Sequence, residues 1–313
     1  MAIRSAMKRY DVAVVGEVYV DHVFTGFASW PQPGEEVFTS EYVQEVGGGA
    51  AITACALARL GRSVSLIGRV GENEMPWIGQ RLSAFGVSSA ELRCGRGATG
   101  VTVSISSQID RSFFTYVGEN TQLEEQLAGD SLLHHMTEAR HVHFAMPISA
   151  RLAERLLGTL KAAGCTTSLD VGHQVAWLYD PANRETCRVV DYLLPNEREA
   201  KMIANGDADT YLDFTRRNRW PSGIVKMGPE GAVMRTDNGP LRVHSTRGPA
   251  VDTTGAGDAF NAGFIDGLLD GQTGEECMRR GCVCGGLSIR ATGALRALPA
   301  REELMKCYEE SYG

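Results

Sequence analysis

Residues 252–263 read Asp252-Thr-Thr-Gly-Ala-Gly-Asp258-Ala-Phe-Asn-Ala-Gly263, a glycine-rich turn that ends on an acid at the head of an apolar helix. Gly255 and Gly257 let the backbone fold tightly enough for consecutive N–H groups to face one anion, and the dipole of the following helix favours negative charge there. Asp258 then stands beside that anion. A carboxylate in this position can take the proton of an attacking hydroxyl while the N–H groups of the turn stabilise charge on a transferred phosphoryl group. Read alone, the stretch also fits a plain glycine-rich N-cap with an acid in the first turn. Its flanks favour the first reading: Leu241 to Val251 is strand-like and then broken by Gly and Pro, and Phe260, Phe264, Ile265 and Leu268 recur at helical spacing.

Outward from this turn, apolar β-type runs alternate with helical patterns. Strands are expected at 11–16, 63–67, 141–145, 166–170, 191–194 and 223–227, and helices at 49–60, 75–85, 149–163 and 197–204. A hairpin over 231–235 and 241–245 precedes the turn, and helices near 258–270, 273–291 and 301–311 occupy the end of the chain. Such alternation implies an α/β fold with a doubly wound, mostly parallel sheet and helices on both faces. Two stretches, 18–46 and 91–117, alternate polar and apolar residues without helices and read as an antiparallel excursion.

The chain has 313 residues, 43% of them hydrophobic, enough for a substantial core. With 31 Lys and Arg against 38 Asp and Glu, a net charge of −7 and no basic block, the composition argues against nucleic acid as a partner and for a small ligand. An anion hole made of backbone lets an acidic protein bind a polyanionic nucleotide without a basic surface. The apolar run Val12 to Val15 after Arg4, Lys8 and Arg9 is too short for a signal-peptide core, and no run is long enough to span a membrane. The eight cysteines are scattered, unlike a disulfide framework, so the expected compartment is the cytoplasm. Cys277, Cys282 and Cys284 read as core thiols beside tightly packed glycines rather than as a zinc knuckle. His141 and His143, alternating on one strand, read as packed side chains because no acid or Cys accompanies them.

From about Asp11 to about Arg301 the chain resembles the ribokinase-like carbohydrate kinases of the phosphofructokinase-B type, and residues 252–258 match every fixed position of that family's Asp-Thr-x-Gly-Ala-Gly-Asp segment. The resemblance implies that Asp258 is the catalytic base and that Gly255, Ala256 and Gly257 form the anion hole. It also implies a nucleotide- and substrate-binding core built from 1–17, 47–90 and 118–313, with 18–46 and 91–117 forming a β-sheet lid over the sugar. ATP and Mg2+ are the implied cofactors.

Other segments fit the same pattern. Gly47-Gly48-Gly49 leads into a helix, implying close backbone approach, and matches the family's first glycine signature together with Gly61 and Gly71. Ile52 stands where relatives carry an Asn that reaches the substrate. Asp21, five residues beyond Gly16, matches the sugar-binding Asp, whose carboxylate would orient two adjacent hydroxyls. The stretch Trp30-Pro-Gln-Pro-Gly-Glu35 resembles the opening of the lid, and Asp110-Arg111 its second turn, with Phe114 and Tyr116 on one face. That face could cover sugar carbons or meet a second subunit, the latter giving a homodimer through the lid.

Asn196 and Glu199 occupy the family's Asn-x-x-Glu slot, which organises Mg2+ through water, although the same residues also make an ordinary helix N-cap. Asp170, at a strand end, is a further acid for that slot. Lys226 and Gly228 are expected near the phosphates or the adenine, Thr254 near the nucleotide, and Asp252 and Thr254 with the 292–294 turn where many relatives hold K+. No Gly-x-x-x-x-Gly-Lys-Ser/Thr run occurs, so ATP would not enter through a P-loop. The expected activity is ATP-dependent phosphorylation of a hydroxyl on a sugar or sugar derivative. The alternatives left open are a nucleoside kinase and a catalytically silent sugar or nucleotide sensor.

Overall fold

Short Val- and Ile-rich strands buried on both sides frame the molecule, and the computed structural model describes residues 8–27, 30, 31, 33–106, 111–172, 174–246 and 248–313, with only the backbone of Ser106, Arg111, Val175 and Ser222. Of the sequence expectations, Arg4, Gln32 and Asp110 lie outside the described residues. The strands are β1 (Tyr10–Val15), β2 (Tyr19–Thr25), β3 (Glu41–Gly47), β4 (Val64–Gly71), β5 (Ser88–Gly95), β6 (Gly100–Ser106) and β7 (Arg111–Tyr116). They continue with β8 (Ala139–Phe144), β9 (Thr166–Leu169), β10 (Tyr192–Leu193), β11 (Ser222–Lys226), β12 (Ala232–Thr236) and β13 (Gly239–Val243).

Among the described residues, nine strands form one sheet in the order β13-β12-β11-β10-β9-β8-β1-β4-β5, and four form a second in the order β3-β2-β6-β7. Every pairing from β5 across to β11 is parallel, and β12 and β13 close the edge antiparallel. Alternate residues of β1 feed opposite cores: Val12 and Val14 join Ala51, Leu57, Ile78 and Ile265, whereas Ala13 and Val15 join Leu132, Leu156, Ile203 and Tyr211. Helices therefore cover both faces, as a parallel sheet buried on two sides requires. From β1 the chain winds to β4 and β5 on one side, then crosses to β8 and winds the other way. The crevice at the carboxyl ends of β1 and β8 is thus the topological switch point, where open α/β sheets bind ligands.

Helices Ala256–Leu269 and Gly274–Ser288 pack at very short range, since a Cβ on Gly263 would overlap the Arg280 carbonyl and one on Gly281 would lie 2.8 Å from Phe260. Cys277, Cys282 and Cys284 are buried in this pair, and all eight cysteines are free thiols. Among the described residues no helix is long and apolar enough to cross a membrane.

Three features differ from the sequence expectation. Residues 91–95, assigned to the excursion, belong to β5, which pairs with β4 in the large sheet. As a half-exposed edge strand it alternates like a strand of the small sheet, and alternation does not reveal which neighbour a strand bonds. Helices Asp130–Thr137, Pro181–Val189 and Ala208–Arg217 had no counterpart in the expected set. The helix after the glycine turn begins at Ala256, two residues early, because Gly255 takes a left-handed conformation (φ 75°) and serves as its N-cap.

The inner face of the small sheet presents Asp21, Val23, Thr102, Ser104 and Thr115 to the crevice. Its outer face exposes Tyr42, Phe114 and Tyr116, the face on which a second subunit was expected. Arg81 ties the sheet to the core by a two-pronged bond to Glu45 (2.7 and 2.6 Å).

Candidate active site

Two helix N-termini meet at the switch point. Helix Gly49–Arg59 starts after Gly48, which has φ 89°, and helix Ala256–Leu269 starts after Gly255. Thr53 Oγ1 donates to the Asp258 carbonyl (3.2 Å), and the Ile52 side chain packs where a Cβ on Gly255 would come within 3.1 Å. First-turn N–H groups have no partner within their own helix, which leaves those of Gly257 and Asp258 available as donors to an anion at this helix end. Ala256 N–H bonds the Thr253 carbonyl (3.3 Å).

Each residue of the glycine triplet has its own physical reason. A Cβ on Gly47 would overlap the Asp21 carboxylate, one on Gly48 would overlap the Glu17 carbonyl, and one on Gly49 would lie 2.9 Å from Asp258 Oδ1. The triplet therefore makes room for both acids. Asp21 and Asp258 line one cavity of about 700 Å³, whose wall also includes Gly48, Gly49, Thr254 and Gly255. Ile52, at the position where the family resemblance implied an Asn, reaches the same wall with an apolar side chain.

Burial pushes the Asp21 carboxyl up to about 7, helped by the negative charges of Asp252 and Glu45. Burial and the charge of Asp170 likewise raise Asp258 to about 7, against the opposing pull of Lys226. Such a value suits a group that must accept a proton near neutrality.

Behind the turn lies a buried polar cluster. Lys226 Nζ donates to Asp170 Oδ2 (2.6 Å) and to Asn261 Oδ1 (3.3 Å), and Asn261 Nδ2 donates to the same Asp170 oxygen (2.6 Å). A Cβ on Gly257 would lie 3.5 Å from that ammonium, so Lys226 sits directly behind the expected anion hole. Burial alone would neutralise the pair, but their attraction outweighs it, lowering Asp170 and raising Lys226 so that both stay charged.

Asn196 lies beside Lys226 through a parallel bridge between the two strand ends. Asn196 and Glu199 form a complete capping box: Glu199 N–H donates to Asn196 Oδ1 (2.9 Å), while Asn196 N–H and Nδ2 donate to the two Glu199 oxygens (2.9 and 2.7 Å). Burial and Asp170 raise Glu199 to about 7. The capping role read from the sequence and a place beside Lys226 thus coexist.

Asp252 accepts the N–H groups of Thr254 and Gly293 (2.9 Å each), which joins the start of the turn to the 292–294 loop. Gly228 opens the exposed turn after β11 with φ 54°. His141 and His143 are fully buried, and burial holds them down to about 3 and 4; hydroxyls of Thr166 and Ser168 meet both ring nitrogens of His141, Ser168 also meets His143 Nδ1, and His143 Nε2 has no partner among the described residues.

Sequence reasoning missed several residues of this site. Asn261 lies three positions after Asp258, and its polar side chain in an otherwise apolar helix was the available signal. Asn120 clamps the backbone of Val18 from both sides, accepting from its N–H (3.2 Å) and donating to its carbonyl (2.9 Å), which fixes the segment carrying Glu17 and Asp21. Trp177 faces the cavity with its Nε1 bonded to the Ile148 carbonyl (2.8 Å); nothing in its local sequence marked it.

The chain is 26% identical over 286 residues to the 2-dehydro-3-deoxygluconokinase of Bacillus subtilis, covering 85% of this chain and 87% of that one. The ribokinase of Arabidopsis thaliana complexed with ribose and ATP superposes with a TM-score of 0.81 at 24% identity, over 96% of this chain and 99% of that one. A nucleoside kinase of Methanocaldococcus jannaschii, an archaeal member of the ribokinase family, gives 0.82 at 20% identity, over 97% and 100%. The family model described as pfkB family carbohydrate kinase matches residues 9–301, and with nearly the whole length accounted for, the chain belongs to that family.

Proposed function

We propose that the protein transfers the γ-phosphoryl group of ATP to a hydroxyl of a sugar or sugar derivative. The observation that carries this reading is the Asp258 carboxylate standing in the wall of a cavity at the sheet's switch point, on the first turn of the helix that Gly255 caps in a left-handed conformation. The acceptor oxygen forms the new bond to the γ-phosphorus, the bond from that phosphorus to the bridging oxygen breaks with its electron pair going to ADP, and the hydroxyl proton passes to Asp258. Gly255, Ala256 and Gly257 supply the backbone around the phosphoryl oxygens, with the Lys226 charge behind them. Gly228 and Thr254 border the nucleotide. Asp21 accepts hydrogen bonds from acceptor hydroxyls and fixes their orientation.

The residues present fit a divalent cation. Among the described residues no three potential ligands group into a protein cage, so such an ion would be shared with the nucleotide; the charges of Asp170 and Asp258 both bear on Glu199, and each Glu199 oxygen keeps a lone pair beyond its capping bond. Glu199, with Asn196 beside it, would hold Mg2+ through water, and the ion when bound supplies positive charge to the phosphate oxygens. Asp252 and the 292–294 loop would hold K+; turnover in K+ is then expected to exceed turnover in tetramethylammonium several-fold, and equal rates would remove the site.

A nucleoside is the second acceptor class, favoured by the aromatic wall of Trp177 and Phe113 in the cavity. A mass-spectrometric screen of sugars, sugar acids and nucleosides for ATP-dependent mass gain tests both. Mass gain with ADP release supports a kinase, and ligand binding without ADP would leave a silent sensor instead.

A further inference from the structure

On the kinase reading above, the charge pattern of the acceptor cavity selects among acceptors. Four carboxyl groups line it, those of Glu17, Asp21, Glu124 and Asp258, and among the described residues no Lys or Arg does. The cations held on neighbouring elements are committed to other acids. Arg81 grips Glu45 through two bonds (2.7 and 2.6 Å), Arg69 Nε bonds Glu119 (2.6 Å), and Lys226 bonds Asp170 (2.6 Å).

Glu17 lies two residues beyond Val15, the end of β1, and its carboxyl accepts the Tyr19 hydroxyl (3.0 Å). Burial raises its pKa, as it does for Asp21. Hydroxyl and amino groups donate hydrogen bonds to such a wall. Phosphate and carboxylate groups bring only acceptors and like charge, and both are penalised more steeply in a partly desolvated cavity than in water.

We propose that the acceptor is an uncharged or cationic polyhydroxy compound, and that Glu17 is a specificity-determining residue that turns away acceptors carrying a phosphate or carboxylate. Discrimination here comes from a repulsive element as well as an attractive one.

The test uses the full chain and matched acceptor pairs: fructose with fructose 6-phosphate, glucosamine with gluconate, adenosine with AMP. Binding of each member is measured by calorimetry, and phosphoryl transfer by mass spectrometry on the same mixtures. The neutral or amino member of at least one pair is expected to bind about tenfold more tightly than its anionic partner. In Glu17→Gln that ratio is expected to shrink about fivefold or more. Glu124→Gln, on an exposed helix, provides a second reading in the same direction should the first variant fail to fold. Tighter binding of an anionic member, binding of no member of any pair, or an unchanged ratio in a folded Glu17→Gln protein would overturn the proposal; should that variant fail to fold, an unchanged ratio in Glu124→Gln does so. Selective binding of a neutral member without any transfer would support it while removing the kinase reading, so the two failures are distinct.

Discussion

Asp258 is raised to about 7 by burial first and by the negative charge of Asp170 second. A base must be ionised to work, so kcat/KM is expected to climb with pH and level off above about 7. Asp170→Asn removes the raising charge and leaves Lys226 free to pull harder, so the acid limb should move to lower pH; a limb that stays in place in a pH–rate profile would refute the coupling. The stability effect has the opposite sense. Asp21, Glu199 and Asp258 all prefer the neutral form when folded, so their contribution to stability is full below the ordinary carboxyl value near 4 and is lost as pH rises to about 7. At this scale the sequence was legible where the chemistry demanded a motif. Asp258 and the glycines could be read because few other residues let a backbone turn that tightly, whereas Asn261 and Asn120 act through partners 91 and 102 positions away that no local pattern reveals.

The two glycine-headed helices are the elements that set the site's geometry. Gly49 lies so close to Asp258 that an added Cβ would sit 2.9 Å from Oδ1. Gly49→Ala is therefore expected to keep the fold and lower kcat by roughly ten- to a hundredfold through displacement of the carboxylate. Wild-type kcat in a folded Gly49→Ala protein would show that the carboxylate tolerates the shift. Helices with apolar stripes were readable in advance, as over 49–60 and 149–163. Pro181–Val189 was not, though Asp180 caps it by accepting the Ala182 N–H (2.9 Å) and Pro181 takes its first position, both usable start signals. Its own face is mostly polar, so periodicity did not announce it. For β5 the obstacle was different: its pattern was visible, but strand pairing is a property of the assembled sheet.

Across the whole molecule, a charge network braces the helices that carry the site. Asp266, on the helix begun by the glycine turn, is bonded by Arg62 (2.7 Å), Arg280 (2.6 Å) and Arg301 (2.9 Å), and Asp270 shares all three partners. Burial would raise the Asp270 carboxyl, yet hydrogen bonds from Arg280, Arg62 and Arg301 outweigh it and hold the group far below the usual range. Its stabilisation is therefore present above the ordinary value and lost as pH falls. Asp266→Ala leaves the guanidinium groups of Arg62 and Arg280 with Asp270 as their remaining acid and should cost about 1–3 kcal/mol, read as a lower denaturant midpoint. An unchanged midpoint would reduce the network to a surface feature.

The two-layered winding around β1 brings the glycine turn, Asp21 and the small sheet to one crevice, and the central claim is that the carboxylate of the turn accepts the acceptor's proton there. Single-turnover kinetics on Asp258→Asn, alongside calorimetric binding of ATP and acceptor, tests this most directly. The account predicts retained binding and a loss of rate on the order of a hundred- to ten-thousandfold. Turnover at the wild-type rate would contradict it.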